Sequence, residues 1–364
     1  MGCLVKADPD FGRFPFSGLA LPGSRNAGAY DLDPESFDTQ RGSSCTSFTA
    51  NDAKLGPEFA RWSQTQDETI TEQLDEGIRF VDLQVTYNGN GSALTGWRVV
   101  QSLYSDVPLY DYLDQIAIWA KAHPTEAVVV DLSRVCYDNG AQGALADGLW
   151  GDFSTPSNIE ASHVTMAKVA FDPATVGGSL ANATIDEIAK PGHNVVILVP
   201  GNVVDLGLLA ARYKVHAIIV EPAGGSAGSP AKVAIESGRA QVAPRSASEF
   251  RSANSELAAY PLRITPALGT LVGKGLFVSQ LAYTVTDTAR PVLFQRFGGL
   301  ITSASFVLKK HHTRDLPAWE AELWSGNAPR IRILAAWGHR ANIVLTDGVE
   351  YGRFIEAVIA LNAK

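Results

Sequence analysis

The chain has 364 residues, 46% of them hydrophobic and 19% charged, with a formal net charge of −8. That composition suits a globular protein with a sizeable core, and an acidic balance without any Lys/Arg block argues against nucleic acid or an anionic membrane surface as the main partner. Cys3, Cys45 and Cys136 are too few and too scattered for a disulfide framework or a metal knuckle.

No charged leader followed by an apolar segment opens the chain, and no run of about 18 apolar residues occurs. The expectation is a cytoplasmic protein without stable membrane insertion. Met1-Gly2-Cys3 hints at acylation, but Lys6 stands where that signal has Ser or Thr.

The first apolar run, "GLALPG" (18–23), leads into Ser24, Arg25 and Asn26. A polar stretch at 38–57 reads as a loop. Thr69 and Glu72 then form a capping box, with Ile70, Leu74 and Ile78 on one helical face. "FVDLQVTY" (80–87) is a strand carrying Asp82 and Gln84, followed by a Gly/Asn-rich loop at 88–96. "WRVVQSLY" (97–104) is the next, with Gln101 and Tyr104. Leu109, Leu113, Ile116, Trp119 and Ala120 make a helical stripe stopped before Pro124. "AVVVDLS" (127–133) brings Asp131, with Arg134 after it. A short helix at Thr184–Ala189 precedes "NVVILVPG" (194–201) and Asn202; "AIIVEP" (217–222) carries Glu221, and 223–230 reads as a loop. Helical patterns at Ser246–Ala259, Asp315–Leu323 and Gly352–Leu361 flank the last two runs. These are "GLFVSQLAYT" (275–284), with Gln280, and "NIVLTDG" (342–348), with Asp347.

Short, mostly continuous apolar runs are what strands buried on both faces require. Eight of them with helices between predict one (β/α)8 TIM-type barrel across residues 1–364, a doubly wound sheet being the alternative. In a barrel, functional residues sit at the C-terminal strand ends. Arg25, Asn26, Asp82, Gln84, Gln101, Tyr104, Asp131, Arg134, Gln280 and Asp347 are then expected around one mouth. Burying so many polar groups requires partners. Either they line a polar cavity, or the aspartates satisfy Arg25 and Arg134 internally.

Four stretches carry a family resemblance: "LALPGSRNAGAYDLD" (19–33), "WSQTQDETITEQLDEGIRFVDLQV" (62–85), "LYDYLDQIAIWAKAHPTEAVVVDLSR" (109–134) and "ANIVLTDGVEYGRFIEAVIALN" (341–362). Together they resemble the X domain of phosphatidylinositol-specific phospholipase C, in its single X-domain branch, from Leu19 to Asn362. W-S-x-T-Q followed by E-Q-L-D-x-G-I-R-F-x-D-L is the most specific part. The resemblance implies a PLC-like phosphodiesterase barrel in which one His deprotonates the inositol 2-hydroxyl and a second protonates the leaving diacylglycerol oxygen. An Arg or a calcium ion holds the phosphate.

By that resemblance Arg25 aligns with the first His, Asn26 with the Asp backing it, Gln84 with the Arg and Gln101 with the second His. Asp82, Tyr104 and Asp347 match. An arginine stays protonated at working pH, and a glutamine amide neither gives nor takes a proton. Two acid–base groups worth roughly 10²–10⁴-fold each are therefore missing. What remains can hold a phosphorylated polyol or phospholipid headgroup, with Arg25 as an anion anchor; in the competing arrangement Arg25 is paired with Asp82 or Asp347.

The alternative is an active phosphoric diester hydrolase with a rebuilt site. Its base would come from His311 or His312 in "LKKHHTRD" (308–315), where Lys309, Lys310 and Arg314 would draw an anion, unless this is a solvated turn. No cofactor is expected, although Asp82, Asp131, Glu221 and Asp347 offer hard oxygens suited to calcium. "GGSAG" (224–228) satisfies G-x-S-x-G, with Asp287 and His311 or His339 following, but Pro222-Ala223 separates it from its strand. His123, His163, His193, His216 and His339 read as structural.

Overall fold

The valine run after α2 shows how the chain builds its barrel. In the computed structural model Val128 and Val130 pack in an outer apolar layer, whereas Ala127 and Val129 pack in an inner one. The next run repeats the division, with Val195, Ile197 and Val199 outside and Val196 and Leu198 inside. Successive strand residues face opposite sides, so an unbroken apolar run is needed wherever both sides are covered.

The structure describes residues 9–37, 63–87, 96–101, 103–136, 149, 151–154, 164–176, 180–200, 215–222, 232–239, 275–280, 342–350 and 353–362. Its strands are β1 (Leu21–Ser24), β2 (Leu32–Phe37), β3 (Phe80–Tyr87), β4 (Trp97–Gln101), β5 (Leu103–Ser105), β6 (Val128–Cys136), β7 (Val195–Pro200), β8 (Ile218–Pro222), β9 (Lys232–Arg239), β10 (Gly275–Gln280) and β11 (Ile343–Thr346). Around the sheet run α1 (Ile70–Glu76), α2 (Leu109–Ala122), α3 (Ile185–Ile188) and α4 (Phe354–Ala360).

Parallel pairings run from β1 to β3, then through β6, β7, β8, β9 and β10 to β11, and from β11 back to β1. The ring is closed, and the expected eight-stranded TIM-type barrel is present. One member differs from expectation. The run at 97–104 forms β4 and β5, which pair antiparallel outside the ring with β3 and β2. The eighth place is taken by β9, between β8 and β10. The reason is geometric. A parallel crossover needs a dozen or more residues, and the stretch 88–96 between β3 and β4 is too short for one. It can only reverse the chain.

The expected capping box holds α1: the Thr69 hydroxyl accepts from the Glu72 amide at 3.3 Å, and the Glu72 carboxylate accepts from the Thr69 amide at 2.8 Å. At its other end Arg79, from the I-R-F segment, donates to the Leu74 and Ile78 carbonyls and to Glu126. The α2 stripe (Leu109, Leu113, Ile116, Trp119, Ala120) is buried as expected. Thr184 caps α3, and α4 lies within the expected 352–361. The expected helices at 246–259 and 315–323 lie outside the described residues. So do the loops at 38–57 and 223–230, the G-x-S-x-G stretch and the segment 308–315. Among the described residues no helix is long and apolar enough to cross a membrane.

Candidate functional site at the barrel mouth

Inward-facing positions change character along each strand. On the side of the barrel where β1 begins, Leu21, Phe80, Ala127, Val129, Ile343 and Leu345 pack with Phe16 and Leu19 into the inner core. Counting on by twos from these residues gives Arg25 after β1, Asp82 and Gln84 on β3, Asp131 on β6 and Asp347 after β11. The barrel is filled with apolar side chains at one end and lined with charge at the other, which is the C-terminal face.

The pairings there are specific. Arg25, 7% exposed, donates from Nη1 to both carboxylate oxygens of the fully buried Asp347, each at 3.0 Å. Backbone adjacency sets this up, because β1 lies beside β11 and the Arg25 amide donates to the Thr346 carbonyl. A second pair joins Arg134 to Asp82. Asp82 and Asp131 are register partners on neighbouring strands, so two carboxylates stand side by side, and Arg134 offsets the charge of one of them. Burial alone would lower the Arg134 pKa. Asp82, with Asp131 and Asp347 behind it, more than reverses that and holds the guanidinium above its ordinary value.

Asn26 links the parts. Its Nδ2 donates to Gln101 Oε1 at 2.8 Å, its Oδ1 accepts from Arg134 Nη2 at 2.7 Å, and its amide donates to Asp82 at 3.3 Å. The residue is fully buried with φ +45°, a left-handed conformation that Asn tolerates better than most side chains. The resemblance pairs position 26 with position 25. The structure instead gives Arg25 to Asp347 and turns Asn26 toward Gln101 and Arg134. Of the two arrangements open to Arg25, the geometry shows the internal pair with Asp347.

Gln84, 8% exposed, lies two residues beyond Asp82 on β3. Tyr104 packs against Val100 in the antiparallel hairpin outside the ring. Gln280 ends β10, in register with Leu345. His311 and His312 lie outside the described residues. Among the described residues no group of three or more His, Cys, Asp or Glu side chains is disposed to hold a metal ion; Asp82 and Asp347, two of the oxygens expected to suit calcium, face arginines.

Thr65 and Gln66 were not expected at the mouth, and both are buried there. The Thr65 hydroxyl lies 3.2 and 3.1 Å from the carbonyls of Arg25 and Asn26, and Gln66 Nε2 donates to the Arg25 carbonyl at 2.9 Å. The signal that could have found them is W-S-x-T-Q itself, two polar residues placed just before a capped helix.

Comparison with known proteins fits this architecture. Residues 44–138 match the family model described as PI-PLC X. The PI-PLC X domain-containing protein 1 of Mus musculus is 30% identical over 124 residues, 34% of this chain and 36% of that protein. The PI-PLC X domain-containing protein 2 of Homo sapiens is 29% identical over 131 residues, 36% of this chain and 42% of that protein. The match thus spans little more than a third of the curated relatives' length. In three dimensions the chain is similar to a mutant of the phosphatidylinositol-specific phospholipase C from Staphylococcus aureus. The TM-score is 0.55 at 13% identity, over 96% of this chain and 93% of that one, and this likeness speaks for the fold alone. The X-domain resemblance is borne out. Its family-model match covers 44–138, and the structural likeness extends over the whole barrel.

Proposed function

We propose that this X-domain-related barrel binds a phosphorylated polyol headgroup at its mouth and does not cleave it by a two-histidine route. One observation carries the reading. The positions aligned with proton-transfer residues are tied into hydrogen-bonded pairs, Arg25 with Asp347 and Gln101 with Asn26. Neither Arg25 nor Gln101 exchanges a proton near neutral pH. The carboxylates beside them are engaged by guanidinium groups, Asp347 by Arg25 and Asp82 by Arg134.

Gln84, Gln101 and Arg134 are amides and a guanidinium carried on β3, β4 and β6, suited to hydrogen-bond several hydroxyls of a polyol at once, with Asn26 holding Gln101 and Arg134 in place. Two guanidinium groups there face the three carboxylates of Asp82, Asp131 and Asp347. That part of the mouth therefore does not attract phosphate by charge, and the hydroxyl-bearing ring is the better occupant. Lys309, Lys310 and Arg314 lie outside the described residues; as a basic cluster in the sequence they are the cations assigned to the phosphate. The headgroup class comes from the phosphatidylinositol in the structural neighbour's name.

Calorimetric titration with myo-inositol 1-phosphate, myo-inositol and inorganic phosphate tests the assignment. The expected order is inositol phosphate tightest, with measurable binding of the neutral ring. Binding of inorganic phosphate as tight as inositol phosphate would contradict it.

A further inference from the structure

The buried amide of Gln66 sits between the two loops that carry Arg25 and Asp347. Its Nε2 donates to the Arg25 carbonyl at 2.9 Å and the Thr346 carbonyl at 3.3 Å, and its Oε1 accepts from the Val349 amide at 3.2 Å. Thr65 continues the contact: its carbonyl accepts from the Gly348 amide at 2.7 Å, and its amide donates to the Ala29 carbonyl at 3.2 Å. Both amide protons and the acceptor of one fully buried side chain are thus spent on backbone flanking the ion pair.

The geometry points to Gln66 as a positioning residue: with Thr65 it clasps the loops after β1 and β11, and so sets the register in which Arg25 meets Asp347. The alternative is that Gln66 merely fills space. The two differ in what they predict for Arg25, which Gln66 touches only through a main-chain carbonyl. A clasp transmits its loss to the guanidinium, whereas a filler does not. The role in ligand binding rests on the mouth being the binding site; the clasp itself does not.

Gln66→Met keeps the length of the side chain and removes all three hydrogen bonds. NMR of the Arg25 guanidinium protons, identified by their loss in Arg25→Lys, reads the pair directly. In Gln66→Met their exchange with water is expected to speed up by about tenfold, the scale of one buried hydrogen bond, while Arg79, at the far end of the barrel, is unchanged. Melting temperatures supply a second readout. The combined drop in Gln66→Met/Asp347→Asn is expected to fall short of the sum of the single drops, because residues acting on one pair are not additive.

Unchanged Arg25 exchange together with additive melting shifts would overturn the clasp. If Gln66→Met does not fold, Asp347→Asn in an otherwise native chain decides. The Gln66 side-chain amide signals move if the clasp and the pair are coupled, and stay in place if they are not. None of these measurements uses a ligand, so a failure of the binding assignment, seen by calorimetry with myo-inositol 1-phosphate, is a separate result.

Discussion

Replacing Arg25 with alanine separates a structural ion pair from a free anion anchor. Arg25 is 7% exposed and Asp347 0%, and the two hydrogen bonds between them are 3.0 Å long. Removing the arginine leaves a carboxylate out of water without its cation. Breaking a buried pair from one side costs about 3–5 kcal/mol, against about 0.2–1 kcal/mol for an exposed pair. At roughly 2–4 °C per kcal/mol for a domain of this order of size, Arg25→Ala should melt about 10 °C below the native chain. Adding Asp347→Asn removes the stranded charge and should recover part of that loss. The assay is urea and thermal unfolding of both variants beside calorimetry with myo-inositol 1-phosphate. A melting shift under about 2 °C, the value of an exposed pair, combined with a hundredfold loss of affinity, would refute the internal-pair reasoning and restore Arg25 as an anchor.

Arg134→Met should cost a further few kcal/mol, about the price of leaving Asp82 and Asp131 side by side in register, and its unfolding curve should become acid-stabilised as those carboxylates protonate. Asn26→Ala should lose about 1–2 kcal/mol from the positive φ of 45° besides its hydrogen bonds, so Asn26→Gly should melt higher than Asn26→Ala if the backbone matters as described. Away from the mouth, burial pushes the Asp152 carboxyl up to about 8, with Asp111 adding to it, and Asp111 up to about 6. Groups raised in the folded state favour folding while protonated. Stability should therefore fall as pH climbs from about 4 to about 8, and Asp152→Asn should flatten the upper part of that fall in melting scans.

The barrel was legible because its strands are buried on two faces and so cannot hide among polar residues: Val128–Val130 and Val195–Val199 announce themselves. Strand β9 did not, since "KVAIESGR" carries two cations, a glutamate and a glycine and follows a Gly/Ser-rich loop. The hairpin at 97–104 was misplaced for the opposite reason. Its residues read as strand, and the information that excludes it from the ring lies in the length of the preceding loop. At the site, the residue set at the mouth followed from strand ends alone, which is why Arg25, Asp82, Asp131, Arg134 and Asp347 gather there. Their pairings followed only as alternatives, Arg25 with Asp82 or with Asp347. That Asn26 serves Gln101 and Arg134 is a matter of three-dimensional neighbours, and Gln66 meets only main-chain groups, which have no sequence signature.

The central claim is that the mouth holds a headgroup without cleaving it by paired histidines, and turnover tests it most directly. Native protein is incubated at neutral pH with a chromogenic inositol phosphodiester, with calcium and with chelator, beside an Arg25→Ala control. No release of chromophore above the protein-free rate is predicted under either condition, while the same preparation binds myo-inositol 1-phosphate by calorimetry. Sustained turnover in chelator would contradict the claim, and its loss on His311→Ala or His312→Ala would move the proton-transfer chemistry to the 308–315 segment.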